Sequence, residues 1–541
     1  MSSSADPHFE GEDAVYLDPD EAEEVIQQDE DHPMESDDDD ADADADGDQR
    51  MDLEEQEITL QNDSVAHFDH HKDSIFCIAQ HPVHPEIVIT GSGDDTAYIF
   101  DSTPADERPL LPQSYESNPQ PKGERKSLAP IAKLDGHSDS VNAVAFTEPR
   151  GEYVVTAGLD GRLRVWRDST VQKTGHAWEF VAEAQEVEEI NWVAVCPCEN
   201  GDEEKSNVIA LGANDGSAWV YKIDHNDAGQ PISIIQTFFQ HTGSCTAGAW
   251  TPDGKLLATV SEDSSFYVYD VFGAAAAAGV PYAAGTNAVV GYTAEDQRFA
   301  VEGGLYSVAI APTGAFAAVG GAEGHIKVVG LPRLPSSTSA AASGKSGAKS
   351  KGKSSAGGGA QAAGGASSGA GALLASLQAQ SESVESLSFS APPLTLLAAG
   401  SVDGSIALFD TAHRFAVRRH IKEAHEGAAV VKVEFVQDAL SSAAAVSRPG
   451  LPAAAAAAAG QGRSWLLTSV GMDGVVRRWD TRGGTAAAAQ GLLKEWRGHT
   501  GVTESEGGEQ SGGILGFVQG GGGGKRIVTA GDDGVALVFE E

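Results

Sequence analysis

One short phrase recurs eight times along this chain, and that repetition limits its fold more than any other feature. Each phrase is an apolar strand, a turn holding an acidic residue, and an aromatic or apolar residue that closes a second strand. The copies run from Asp94 to Phe100, Asp160 to Trp166, Asp215 to Tyr221, Asp263 to Tyr269, Glu323 to Val329, Asp403 to Phe409, Asp473 to Trp479 and Asp533 to Phe539. A self-similar unit returning at roughly 40 residues is one supersecondary element that needs neighbours to bury its faces. Eight copies in 541 residues predict one closed domain in preference to a string of domains.

Each copy reads as β. In the second, Val141 to Phe146 and Tyr153 to Ala157 are apolar runs, and Leu163 to Trp166 alternates around Arg164. Ile131 to Leu134 precedes them as a further strand. Short strands punctuated by Gly and Asp turns predict an all-β propeller of four-stranded blades. The expected count is eight, or seven if the degenerate fifth copy is not a blade. The last copy stops at Glu541, directly after its third strand, while an orphan strand, Ser64 to Phe68, sits ahead of the first copy. That N-terminal strand is expected to complete the last blade and remove a free sheet edge.

Four residue types recur at fixed offsets in the second copy: His137, Thr156, Asp160 and Trp166. They resemble the hydrogen-bond tetrad of WD-repeat blades, in which a buried carboxylate accepts from His and from backbone amides. Such a carboxylate must be partnered, because leaving it alone costs several kcal/mol. The first copy has His71, Thr90, Asp94 and Phe100, and the fourth has His241, Thr259, Asp263 and Tyr269. The eighth has His499, Thr529, Asp533 and Phe539, and the seventh keeps Ser469, Asp473 and Trp479 with His425 one residue out of register. Copies three, five and six lack both the His and the Ser/Thr, so packing is expected to hold them more than polar networks do.

Charge divides the chain. The whole sequence carries 36 basic and 80 acidic residues, net −44. Residues 1–57 hold 25 of the acidic residues and one Arg, and are expected to be a disordered acidic leader. The propeller is expected over 58–541, net −20, with low-complexity inserts near 102–127, 273–298, 335–380, 441–463, 483–490 and 503–512, and a short one at 519–524. The 335–380 insert bears Lys345, Lys349, Lys351 and Lys353. A polyanionic surface repels phosphate backbones and attracts cationic polypeptides. Direct nucleic-acid binding is disfavoured. No apolar leader and no run of about 18 apolar residues occurs, which points to a soluble intracellular protein without membrane contact.

Little else suggests chemistry. Cys77, Cys196, Cys198 and Cys245 do not form a disulfide framework or zinc spacing, and read as small buried side chains. His67, His70, His71, His81 and His84 cluster in sequence, but alternating strand directions scatter them, so no metal is expected. No cofactor loop joins a strand to a helix, and the turn carboxylates are structural. The expectation is a protein that is not an enzyme.

Several stretches resemble the angio-associated migratory cell protein family of WD-repeat proteins, which includes the fungal dedicated chaperone of a large-subunit ribosomal protein. The carrying residues are Ser64-Val-Ala-His-Phe68, Asp73-Ser-Ile-Phe-Cys77, Gly93-Asp-Asp-Thr-Ala-Tyr98, Glu189-Ile-Asn-Trp192 and Ala213-Asn-Asp-Gly-Ser-Ala-Trp219. Ser383-Val-Glu-Ser-Leu387 with Val402-Asp-Gly404 is especially close. The resemblance covers about 58–541 in order, broken by the inserts. It implies capture of a basic ribosomal protein, through its N-terminal segment, for delivery to pre-60S particles. The chain would then be a cytoplasmic monomer, with nuclear entry left open. The family's animal branch implies a signalling or migration scaffold instead. Trp479-Asp-Thr-Arg482 also resembles the box by which some WD proteins dock on a cullin ubiquitin-ligase adaptor.

Propellers usually bind at the wide face, around the channel mouth, through the loop before the innermost strand and its first residues. Those positions are Asp73, Phe76, Asp139, Glu188, Glu189, Trp192, Glu262, Tyr306, Glu382, Glu385, Glu426 and Asp532. Acidic side chains stand there in seven of eight copies, with no Lys or Arg among them. Carboxylates that pair with guanidinium forks, beside aromatic rings that stack on them, suit an Arg/Lys-rich segment. The plainer reading is that acidic surface turns are merely solvated.

Overall fold

The computed structural model describes residues 61–104, 126–169, 177–198, 201–227, 229–334, 369–437, 463–483, 491–501, 503–504, 510–520 and 523–541. Two units divide the chain, Met1–Thr59 and Leu60–Glu541, and the first lies outside the described residues together with the expected acidic leader.

The second unit consists of eight four-stranded antiparallel blades. The innermost strands, in blade order, are Ile75–Gln80, Val141–Phe146, Ile190–Val195, Cys245–Trp250, Leu305–Ile310, Val384–Phe389, Val430–Phe435 and Ile514–Val518. Each lies beside the innermost strand of the next blade, and the eighth lies beside the first. Ala66–Phe68 pairs with the last strand, Ala536–Glu540, as the outer strand of blade 8. The fifth copy is a blade, so the count is eight.

Burial explains the sequence pattern. The second strand of a blade is covered on both sides by its neighbours, so Ile87–Ser92, Tyr153–Gly158 and Leu396–Ser401 are buried at every residue. Outer strands have one wet face and alternate, as in Leu373–Gln378. The core is correspondingly not one mass but eight layers, one at each blade–blade seam. Phe68 and Phe100, for example, stack across the seam between blades 8 and 1 at 4.3 Å.

Polar side chains stitch the same seams near the channel. Asn142 Nδ2 donates to the Asn191 carbonyl (3.0 Å), Asn191 Nδ2 to Cys245 (3.0 Å), and Thr246 Oγ1 to Leu305 (2.6 Å). Ser307 Oγ donates to Val384 (2.7 Å), Lys432 Nζ to Phe517 (2.8 Å), and Ser74 Oγ to Asp532 (3.0 Å). Each bond pairs a polar side chain with a backbone carbonyl, so that neither group is left unpartnered at the seam.

Two insert boundaries need correction. The 273–298 stretch is not a loop expansion throughout: Ala274–Ala277 forms one helical turn, and Ala288–Tyr292 is the outer strand of blade 4. Its Ala/Gly-rich surroundings hid Val289, Val290 and Tyr292, all buried there. The 335–380 stretch extends too far, because Leu373–Gln378 is the outer strand of blade 5. Within 503–512, Thr503–Glu504 pairs with Gln510–Ser511. Most of 102–127 and 441–463, and all of 484–490, lie outside the described residues.

Candidate functional site: the channel mouth

The mouth is set by two kinds of connection that reach the same rim: the loop into each innermost strand, and the turn between the second and third strands. The tetrads bind one to the other. In blade 1, His71 Nδ1 meets Asp94 Oδ2 (3.2 Å) and Nε2 meets Thr90 Oγ1 (2.9 Å), while the Lys72 amide donates to Asp94. In blade 2, His137 repeats this with Asp160 (3.0 Å) and Thr156 (2.8 Å), and the Trp166 indole lies 3.5 Å from Thr156. In blade 7, His425 compensates for its register, reaching Asp473 at 2.9 Å and Ser469 at 2.8 Å, and Trp479 donates to Ser469. His499 joins Asp533 (3.0 Å) and Thr529 (2.6 Å) in blade 8.

Blade 4 departs from this pattern. His241 Nδ1 contacts Ser265 Oγ at 2.5 Å, Ser265 donates to Asp263, and Nε2 meets Thr259 at 2.8 Å. Burial pushes His241 down to about 4, with Asp263 opposing it only in part. Asp263 is raised by its own burial, but donors from Ser265 and Thr242 outweigh this and hold it at about 2.

Blades 3 and 6, expected to be held by packing more than by polar networks, still carry short polar networks of their own. Glu186 stands four residues ahead of Ile190, as His137 stands ahead of Val141, and accepts from Tyr221 Oη at 2.8 Å. Ser217 bridges Asp215 (2.5 Å) and the Trp219 indole (2.8 Å). In blade 6 the buried Gln380 fills the His position and donates to Ser405 Oγ (3.1 Å), while the Ser381 amide reaches Asp403 (2.9 Å). Substitutes of a different residue type fill the His and Thr places there, so the His/Thr spacing does not mark them in the sequence. In blade 5 the equivalent places are apolar, with Val301, Val319 and Val329 in one core layer.

A second regularity aims the mouth side chains. In all eight blades the pairing of the innermost strand with its neighbour slips at the second residue. A bulge re-aims the unpaired residue. The residues so placed are Phe76, Asn142, Asn191, Thr246, Tyr306, Glu385, Val431 and Leu515. Only Phe76, Tyr306 and Glu385 of these were expected, since a bulge leaves no mark in composition.

Most expected acids are on the rim and exposed: Asp73, Asp139, Glu188, Glu189, Glu262, Glu382, Glu385 and Glu426, with Asp532 half-buried. Several are fixed by local donors: Asp73 by the Ser74 amide (2.8 Å), Asp139 by the Ser140 amide (2.7 Å), Glu189 by Asn214 (2.9 Å) and Glu385 by Ser383 (2.7 Å). Each keeps acceptor capacity for a cation. Asp73 and Phe76 converge over Gly93, where an added Cβ would lie 3.1 and 3.2 Å from them. Tyr306 is raised by burial first, then by the charges of Glu262 and Glu385, which places both carboxylates within electrostatic reach of the ring.

Two positions differ from expectation. Trp192 is a wedge between blades: an added Cβ on Gly212 or Gly248 would come within 2.2 and 2.1 Å of its ring, and its indole donates to the Cys245 carbonyl at 3.1 Å. Glu426 already faces a cation, Arg477, at 3.3 Å. Arg477 is buried and also pairs with Asp473 and Glu495, a neutralising group that the rim positions alone did not reveal. Of the ligase-like box, Trp479 is spent in a tetrad, and Arg482 pairs with Asp480 and lies 3.4 Å over the Trp465 ring. A cavity of about 230 Å³ lined by Pro149, Arg150, Glu152 and Asn207 lies at connections of the opposite rim.

Known proteins share this architecture. The WD domain, G-beta repeat pattern matches residues 62–101, 128–167, 232–270 and 371–410. The solved Sqt1 of Chaetomium thermophilum bound to the N-terminus of the ribosomal protein L10 is 48% identical, with a TM-score of 0.68, covering 89% of this chain and 100% of that one. Ribosome assembly protein SQT1 of Saccharomyces cerevisiae is 30% identical over 226 residues, 41% of this chain, and the chain spans only 44% of that relative's length. Human angio-associated migratory cell protein is 24% identical over 81% of this chain and 74% of its own length. The chain belongs to the WD-repeat family that contains the ribosome assembly protein Sqt1 and the angio-associated migratory cell protein.

Proposed function

We propose that this protein is a ribosome-assembly chaperone that acts by binding and catalyses nothing. It captures a basic large-subunit ribosomal protein by its N-terminal segment, in the cytoplasm, and releases it to pre-60S particles. The observation that carries this reading is the 48% identity, over the whole of the solved chain, to a Sqt1 captured with the N-terminus of L10. The rim supports it physically: exposed carboxylates on blades 1, 2, 3 and 6, held by local donors, form a preorganised cation receptor. Focused negative potential at the mouth would also speed encounter with a cationic chain.

Co-purification tests the reading. The tagged protein should retain one stoichiometric basic ribosomal protein at low salt and lose it as salt screens the rim. Glu385→Lys combined with Glu189→Lys should weaken that retention by more than about tenfold, since each change replaces attraction with repulsion. Retention of an acidic ligand, or no effect of the double change, would count against the mouth.

A further inference from the structure

Blade 3 carries an open aromatic shelf. Phe239 follows its outer strand, Ile232–Phe238, and is 63% exposed, the most exposed large apolar side chain among the described residues. Its ring meets the half-buried Trp219 edge-on, with centroids 5.7 Å apart at 84°. Trp219 lies parallel to Tyr221 at 6.3 Å. Carboxylates frame the rings: Tyr221 donates to Glu186, and the Trp219 indole reaches Asp215 through Ser217. Glu189 on the mouth joins the same turn through Asn214.

At several other places the chain covers an aromatic ring with one of its own cations. Blade 2 places Arg164 opposite Thr156, as Trp219 stands opposite Leu211 in blade 3, and Arg164 lies 4.5 Å over Phe180 and pairs with Glu183. Arg482 covers Trp465, Lys494 covers Trp496, and Lys432 covers Phe517. Among the described residues no Lys or Arg lies over Trp219 or Phe239. The arrangement of ring and carboxylate is therefore present in blade 3, and the guanidinium is missing.

We propose that the Trp219–Phe239 shelf is a subsite for an arginine side chain of the cationic polypeptide that occupies the mouth. It rests on the chaperone reading and adds to it a preference for arginine over lysine. A planar guanidinium stacks on an aromatic face and still pairs with a flanking carboxylate, which a compact ammonium does less well.

Two synthetic peptides of equal length and spacing, one with arginine as its sole cation and one with lysine, are titrated against the full chain. The arginine peptide should bind more tightly. Phe239→Ala should cost it about fivefold while leaving the lysine peptide nearly unchanged, and Phe239→Trp should restore it. Equal losses for both peptides, or none for either, would overturn the subsite. Glu189→Lys separates the two readings, because it should weaken both peptides alike. If it does so while Phe239→Ala is silent, the shelf fails and the mouth stands. If Phe239→Ala alone acts, the mouth fails and the shelf stands.

Discussion

His425 Nδ1 and Asp473 Oδ1 lie 2.9 Å apart although 48 positions separate them in the chain. In blade 2 the equivalent atoms of His137 and Asp160 are 3.0 Å apart across 23 positions. The chain between the first two strands of blade 7 is longer and the bond is unchanged, because loop closure costs grow only slowly with length. The tetrad is thus a device for holding the mouth rim, and it is indifferent to the length of the connection between the first two strands.

That role makes Asp160 a sensitive position. Its carboxylate also accepts the amides of Ser138 and Arg162, at 2.9 and 3.0 Å. Asp160→Ala strands His137 and both donors in a nearly dry site and should cost about 3 kcal/mol. Urea denaturation should show the midpoint falling with the slope unchanged. A normal midpoint would exclude the network as a load on stability.

Acid should weaken the ring in two stages. Burial holds His71, His137 and His425 below the ordinary histidine value, and His241 at about 4. The unfolded chain binds protons at these sites from 6.5 downward while the folded chain resists, so stability is full above that pH and declines toward 4. Asp263, held at about 2, adds a second decline below its unfolded value of 3.8. Thermal melts from pH 8 to 4 should fall monotonically. His241→Gln should flatten the slope above pH 4, by on the order of 3 kcal/mol integrated across that range.

Much of this fold was legible in the sequence because its repeats obey one rule of burial. The Gly-Asp turns, the closing aromatics and the orphan strand before Asp69 are read directly from spacing, and they give eight blades with a shared last blade. Ala288–Tyr292 escaped because its alternation sits inside alanine-rich sequence. Gln380 and Glu186 escaped because they fill the histidine place with different chemistry. The mouth was legible as charge and not as geometry: the bulge that turns out Glu385 and Tyr306 exists only once the second strand is paired. Trp192 looked like a rim aromatic for the same reason, and only the glycines facing it reveal the wedge.

Three residues supply the outer strand of the last blade. Ala66, His67 and Phe68 pair with Val538, Leu537 and Ala536, and Phe68 is fully buried against Phe100. Phe68→Ala should cost about 3–5 kcal/mol, as other emptied aromatic sites do. Removing the chain up to Phe68 should do more, because it exposes Ala536–Glu540 as an unpaired edge. Size-exclusion chromatography with light scattering should then report self-association, and a monodisperse monomer would show that the strand is dispensable.

The Trp192 wedge predicts a non-additive pair. Gly248 lies on the innermost strand of blade 4, where the Trp192 ring from blade 3 fills the space a side chain would take. Gly248→Ala should therefore destabilise by about 1–3 kcal/mol through overpacking. Trp192→Phe alone should also destabilise, through lost packing and the lost bond to Cys245. Together they should cost less than the sum, because the smaller ring makes room for the added methyl. A double-mutant cycle by urea denaturation measures this coupling, expected to exceed about 0.5 kcal/mol in the compensating direction. Strict additivity would mean that the ring does not lie across the seam, and would return Trp192 to the rim as a free aromatic surface.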